Sequence, residues 1–96
     1  MNLASAGREY AHFPVSLDTG ATLDASFDGG ITWVTLERPS TTEARVLVAG
    51  PDAVQNPNGT VVLKTGRNPI AVRLVAGQES VIRAAGSIFV TSVNGL

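Results

Sequence analysis

Hydrolysis by an activated nucleophile needs a hydroxyl or thiol, a base and a carboxylate to orient the base. This chain offers a single histidine for the base, His12, and no cysteine. His12 sits in the alternating stretch Tyr10-Ala11-His12-Phe13-Pro14, with no nucleophile-elbow pattern around it. A surface or half-buried strand histidine is the reading those neighbours support. Asp18, Asp24, Asp28 and Asp52 are scattered and do not fall at calcium-loop spacing. Gly59-Thr60-Val61-Val62-Leu63-Lys64 lacks the Gly-Lys-Ser/Thr ending of a phosphate loop. Asn58-Gly59-Thr60 matches the N-glycosylation acceptor, but Met1 to Gly7 shows neither a basic nor an apolar leader region, so a turn is the better reading. The expectation is a non-enzyme, without catalytic, metal-binding or cofactor-binding residues.

The sharpest local pattern is Ser26-Phe27-Asp28-Gly29-Gly30-Ile31-Thr32-Trp33. Asp28 can accept hydrogen bonds from backbone N–H groups across a turn. Gly30 supplies a backbone conformation closed to other residues. Trp33 brings a large apolar face with one N–H to satisfy. The pattern resembles the Asp-box, Ser-x-Asp-x-Gly-x-Thr-Trp, at every defined position. In sialidases and related propellers that motif repeats once per blade, away from the active site. Here it occurs once, which implies a structural hairpin built by Ser26, Asp28, Gly30, Thr32 and Trp33, with a carbohydrate-related role as the alternative.

The elements that must position these residues read as strands, because a period of two recurs between turn signals and no stretch carries a helical period. The first strand is expected over 9–17, with Ala11, Phe13, Val15 and Leu17 inward and Tyr10, His12 and Ser16 outward. Pro14 places it at a sheet edge or beside a bulge. After a turn at Asp18-Thr19-Gly20, strands follow at 22–27, 31–37 (ending at Arg38-Pro39-Ser40) and 43–49. The stretch 50–59 reads as a surface loop ending in a tight turn. Thr60 to Lys64 is a short strand, Gly66 to Pro69 a turn and 70–75 a strand, followed by a hairpin loop at 76–79. The last strand is split at Ala84-Ala85-Gly86, where Gly86 marks a bulge that would carry the chain between sheets. Seven or eight strands in 96 residues give one domain, a small immunoglobulin-like antiparallel β-sandwich, with an N-terminal arm at 1–7 and a C-terminal tail at 94–96.

Composition narrows the function classes. Net charge is −1 and the seven basic residues are dispersed, so the footprint of nucleic-acid binding is missing and bulk charge gives no reason for membrane-surface binding. No apolar run approaches the ~20 residues that span a bilayer. Charged residues make up 16%, against the ~25% of an average domain. So light a surface suits a subunit partly buried in an assembly; it suits equally a compact β domain rich in Gly, Ser and Thr.

Three further blocks point to a setting. Arg8-Glu9-Tyr10 leads into Phe13-Pro14-Val15; Ala44 to Pro51 reads Ala-Arg-Val-Leu-Val-Ala-Gly-Pro; and Asn68 to Val90 closes on Ala85-Gly86-Ser87-Ile88-Phe89-Val90. Over most of its length the chain resembles small β-sandwich proteins from the capsid and head–tail gene region of actinobacterial tailed phages. That resemblance implies a virion structural protein, made in the host cytoplasm, that decorates the capsid or joins head to tail. Its partners would be major capsid or head–tail proteins, in a homo-oligomer or symmetric array. Tyr10 and His12 on the exposed strand, with Pro51, Asp52, Asn56 and Asn58 in the loop, are the expected contact residues. A carbohydrate- or surface-binding module is the alternative function.

Overall fold

Alternating apolar and polar side chains put one face of each strand in a shared core, and the computed structural model realises this as an all-β sandwich. It describes residues 2–14, 22–76 and 78–91. The described strands are β1 (Asn2–Ala4), β2 (Arg8–Pro14), β3 (Thr22–Ser26), β4 (Val34–Thr35), β5 (Glu37–Ser40), β6 (Glu43–Ala49), β7 (Val61–Val62), β8 (Gly66–Ala76) and β9 (Glu79–Thr91). One sheet runs β1-β9-β8-β3-β4; the other runs β2-β6-β5, with β7 also on β6. Because β2 pairs along the whole of β6, β5 and β7 share the opposite edge of β6.

The core is where the two inner faces meet. Leu3, Leu23, Ala25, Ile88 and Val90 from the first sheet close on Ala11, Ala44, Val46 and Val48 from the second. Ile88, Val48 and Val90 are buried outright, each contributing about 1.5–3 kcal/mol over an exposed position. β6 keeps the expected bounds, with Ala44, Val46 and Val48 buried and Arg45 and Leu47 facing outward. In β2, Ala11 is buried, Phe13 packs against the core, and Tyr10 and His12 point out; the strand forms a sheet edge, as Pro14 required.

Several boundaries move, each for a local reason. The expected arm at the N-terminus is partly a strand: β1 pairs in parallel with β9, burying Leu3, and Ser5 is buried behind it. The expected strand 31–37 is two short ones in different sheets. β4 pairs with β3, Leu36 is buried between the layers with its amide on the Leu23 carbonyl (2.8 Å), and β5 joins β6. Arg38-Pro39-Ser40 is therefore strand, and the turn lies at 41–42.

The turn expected over Gly66 to Pro69 ends earlier, and those residues open β8. Gly66 takes φ +97°. The buried Asn68 folds its amide back, donating to the carbonyls of Lys64 (2.9 Å) and Gly66 (3.1 Å). The segment 60–64 keeps only Val61–Val62 as strand, parallel to β6. Gly86, at φ +89°, does sit in a bulge against β8, but β9 stays in one sheet from end to end. The predicted turn at Asp18-Thr19-Gly20, the end of the first predicted strand and the tail at 94–96 lie outside the described residues.

One contact joins the layers. The Ser5 amide donates to Thr91 at the end of β9, while the Ser5 carbonyl accepts from Asp52 and the Gly7 carbonyl from Gly50, just past β6. A Cβ on Gly50 would stand 2.2 Å from the Ser5 oxygen. Because the obstacle is backbone and cannot rotate away, Gly50→Ala is expected to lower the unfolding free energy by about 3 kcal/mol, the upper end of overpacking costs. Chemical denaturation checks it: the midpoint should fall sharply, and an unchanged midpoint would refute the close approach.

Candidate interaction surface

The outward side chains of the smaller sheet form a polar row across three strands. Arg45 on β6 faces Glu37 on β5 and donates to both its oxygens (3.3 and 3.2 Å). Its guanidinium also lies over the Tyr10 ring of β2, 4.2 Å from the centroid. Next along, His12 Nδ1 and Glu43 Oε1 are 2.6 Å apart, and the Tyr10 and His12 rings are 6.1 Å apart. These are the direct and diagonal neighbours that antiparallel pairing creates. Glu37 raises the Arg45 pKa further, so the guanidinium stays charged. Pairs this exposed contribute little to stability because solvent screens them; what they do here is hold the orientation of the face.

The loop 50–59 is fastened beside this row by a residue the sequence did not single out. Arg8, the first residue of β2, donates from one guanidinium nitrogen to the carbonyls of Val54 and Gln55 and to Asn56 Oδ1, each at 3.3 Å. An arginine at a strand end, 48 positions from its partner, carries no local signal. The loop then closes in a turn in which Thr60 donates to the Pro57 carbonyl from its amide (3.2 Å) and hydroxyl (2.7 Å). Between this turn and the polar row lies a groove of about 290 Å³, lined by Tyr10, Glu37, Arg45, Leu47, Pro57 and Asn58 among others.

The predicted contact residues therefore divide. Tyr10 and Asn58 line one groove, and His12 continues its rim. Asn56 is half-buried, with its side-chain oxygen taken by Arg8. Pro51 and Asp52 are exposed at the other end of the loop, where the Asp52 amide is bound to Ser5. A second open edge escaped the sequence reading. β9 meets β1 at Phe89 to Thr91, and no other described strand pairs with its outer edge, along which Ile82, Ala84 and Ala85 are exposed. The signal was present as a 13-residue strand without Pro or Lys, the residues that usually guard an edge.

The motif at 26–33 forms the connection between β3 and β4 as a loop rather than a two-residue turn. Ser26 Oγ donates to Asp28 Oδ1 (2.7 Å) and accepts from the Gly30 amide (2.9 Å). The same Asp28 oxygen accepts from the amides of Ile31 (3.1 Å) and Thr32 (2.9 Å). Gly29 and Gly30 take φ of +80° and +93°. The Trp33 indole donates to the Gly30 carbonyl (3.1 Å), with the Arg73 guanidinium 4.4 Å from its ring centroid. Arg73 is held in turn by Asp24 at 2.8 Å. A cleft of about 300 Å³ opens beside the loop, between Phe27, Val34, Val61 and Leu63. No group of His, Asp or Glu side chains converges at metal-binding distance among the described residues. Compared with protein-family models, curated proteins and solved structures, the chain matches none of them.

The Thr32 amide, followed by the Ser26 hydroxyl, holds the Asp28 carboxyl down from its ordinary 3.8 to about 2. A depressed folded-state pKa stabilises the fold above the unfolded value, and that contribution is lost as pH falls towards the folded one. Asp28→Asn is thus expected to cost about 1 kcal/mol at neutral pH, discounted for solvent screening. The gap from wild type should stay constant above the ordinary carboxylate pKa and shrink between 3.8 and about 2. Thermal unfolding across that range tests this, and a pH-independent gap would contradict it.

Proposed function

We propose that this chain is a non-enzymatic structural subunit of a tailed-phage particle, decorating the capsid or joining head to tail, and that it works by protein–protein assembly. The observation that carries the assembly reading is the joining of β2, a sheet edge, to the loop 50–59 through Arg8, which makes one continuous outer surface around the groove at Tyr10 and Asn58. A strand at an edge offers backbone groups for strand addition by a neighbour. The fastened loop beside it is pre-organised, which lowers the entropy that docking must overcome. Repetition around a symmetric shell multiplies weak contacts of this kind. The virion setting rests on the sequence blocks at 8–15, 44–51 and 68–90.

The aromatics favour a protein partner over a sugar. A sugar platform needs free ring faces, and Tyr10 and Trp33 each carry a guanidinium over one face. Phe27 is buried and Phe13 packs against the core; Phe89 is exposed, but on β9 of the other sheet from Tyr10.

Particle incorporation tests the proposal. Tyr10→Ala and a deletion confined to 55–58, which leaves Gly50 and Asp52 in place, are each expected to reduce the copy number on purified particles several-fold while the isolated domain still unfolds cooperatively. Incorporation at the wild-type level in both variants would overturn it.

A further inference from the structure

We propose that Asn58 is a site of spontaneous deamidation, which places a new carboxylate in the groove on the outer face of the smaller sheet. The reaction needs a backbone N–H next to the asparagine that can reach its side-chain carbon without steric hindrance, and the turn at 57–60 provides one. Asn58 and Gly59 are both exposed, and among the described residues neither the Asn58 carboxamide nor the Gly59 amide is engaged in a hydrogen bond. Gly59 takes φ +86°, and the space that its Cβ would fill is empty.

The chemistry balances with water as the only co-reactant. Solvent base removes the Gly59 amide proton, and the nitrogen attacks Asn58 Cγ. The new N–C bond forms as the Cγ–Nδ2 bond breaks, and the side-chain nitrogen takes a proton from solvent and leaves as ammonia. Water then opens the cyclic imide at either carbonyl, leaving aspartate or isoaspartate at position 58. Nothing is oxidised or reduced.

The other described asparagines before a proline are closed to this route. Asn56 precedes Pro57 and Asn68 precedes Pro69, and a proline nitrogen has no proton to lose. Asn68 is also buried, with its amide donating to Lys64, Gly66 and Ile88. At position 58 the product adds one negative charge to a chain of net charge −1, in a groove that already holds the Glu37–Arg45 pair beside Tyr10. An isoaspartate would also lengthen the backbone inside a turn closed by the Thr60 to Pro57 hydrogen bond.

Incubating the full chain at mildly alkaline and mildly acidic pH, followed by ion exchange and tryptic mass mapping, tests the inference. Trypsin separates peptide 46–64, which holds Asn58, from peptide 84–96, which holds the second Asn-Gly pair at 94 and 95. Peptide 46–64 is expected to yield an acidic aspartate and isoaspartate pair, faster at the alkaline pH and lost in Asn58→Gln. If it stays unchanged in the folded protein while the excised peptide converts under the same conditions, the turn protects Asn58 and the inference is overturned. The chemistry requires no particle, so its failure would leave the assembly reading untouched.

Discussion

The approach of Gly50 to the Ser5 backbone is the constraint on which the rest of the sandwich depends. Two sheets that share a core must be joined where the chain passes from one to the other, and buried backbone groups at such a crossing need partners. Ser5 answers both demands, with its amide on Thr91 in one sheet and its carbonyl on Asp52 just past the end of β6 in the other. Only a residue without a side chain fits at position 50. That closeness sets where β1 hands over to β2, and β2 then runs antiparallel along all seven residues of β6.

Side chains that bond to backbone do similar work at the other crossings. Ser26 and Asp28 satisfy the amides of Gly30, Ile31 and Thr32, so the chain can leave β3 in a wide loop without stranding its polar groups. Asn68 does the same from inside the core for the bend that precedes β8. A fully buried amide is costly when unpaired and strongly specifying when satisfied. Both knots lie in the half of the molecule where β3, β4, β7 and β8 come together, around the cleft lined by Phe27, Val34, Val61 and Leu63.

The outer face of the smaller sheet follows from the core arithmetic. Once Ala44, Val46 and Val48 point inward, Arg45 and Leu47 must point outward, and cross-strand pairing decides what they meet. Arg45 finds Glu37 and Tyr10 because β5 and β2 flank it. The groove is thus a by-product of register, completed by a loop that Arg8 holds in place.

By itself the sequence determined the fold class, the bounds of β6, the outward direction of Tyr10 and His12, and the bulge at Gly86. Each of these is written in period two or in the special backbone freedom of Pro and Gly, which are local properties. The hydrogen-bonding residues of the 26–33 loop were legible for the same reason, since every partner lies within four positions. Only the tertiary structure decided that 31–37 divides between sheets at Leu36, that the expected N-terminal arm is an edge strand, and that Gly66 to Pro69 open β8 instead of turning. Those outcomes depend on pairing with β9, β6 and Asn68, whose energies are set by residues far along the chain. Arg8 is the clearest case, because Asn56 in the loop it holds lies 48 residues away and is brought to it by the register of β2 on β6.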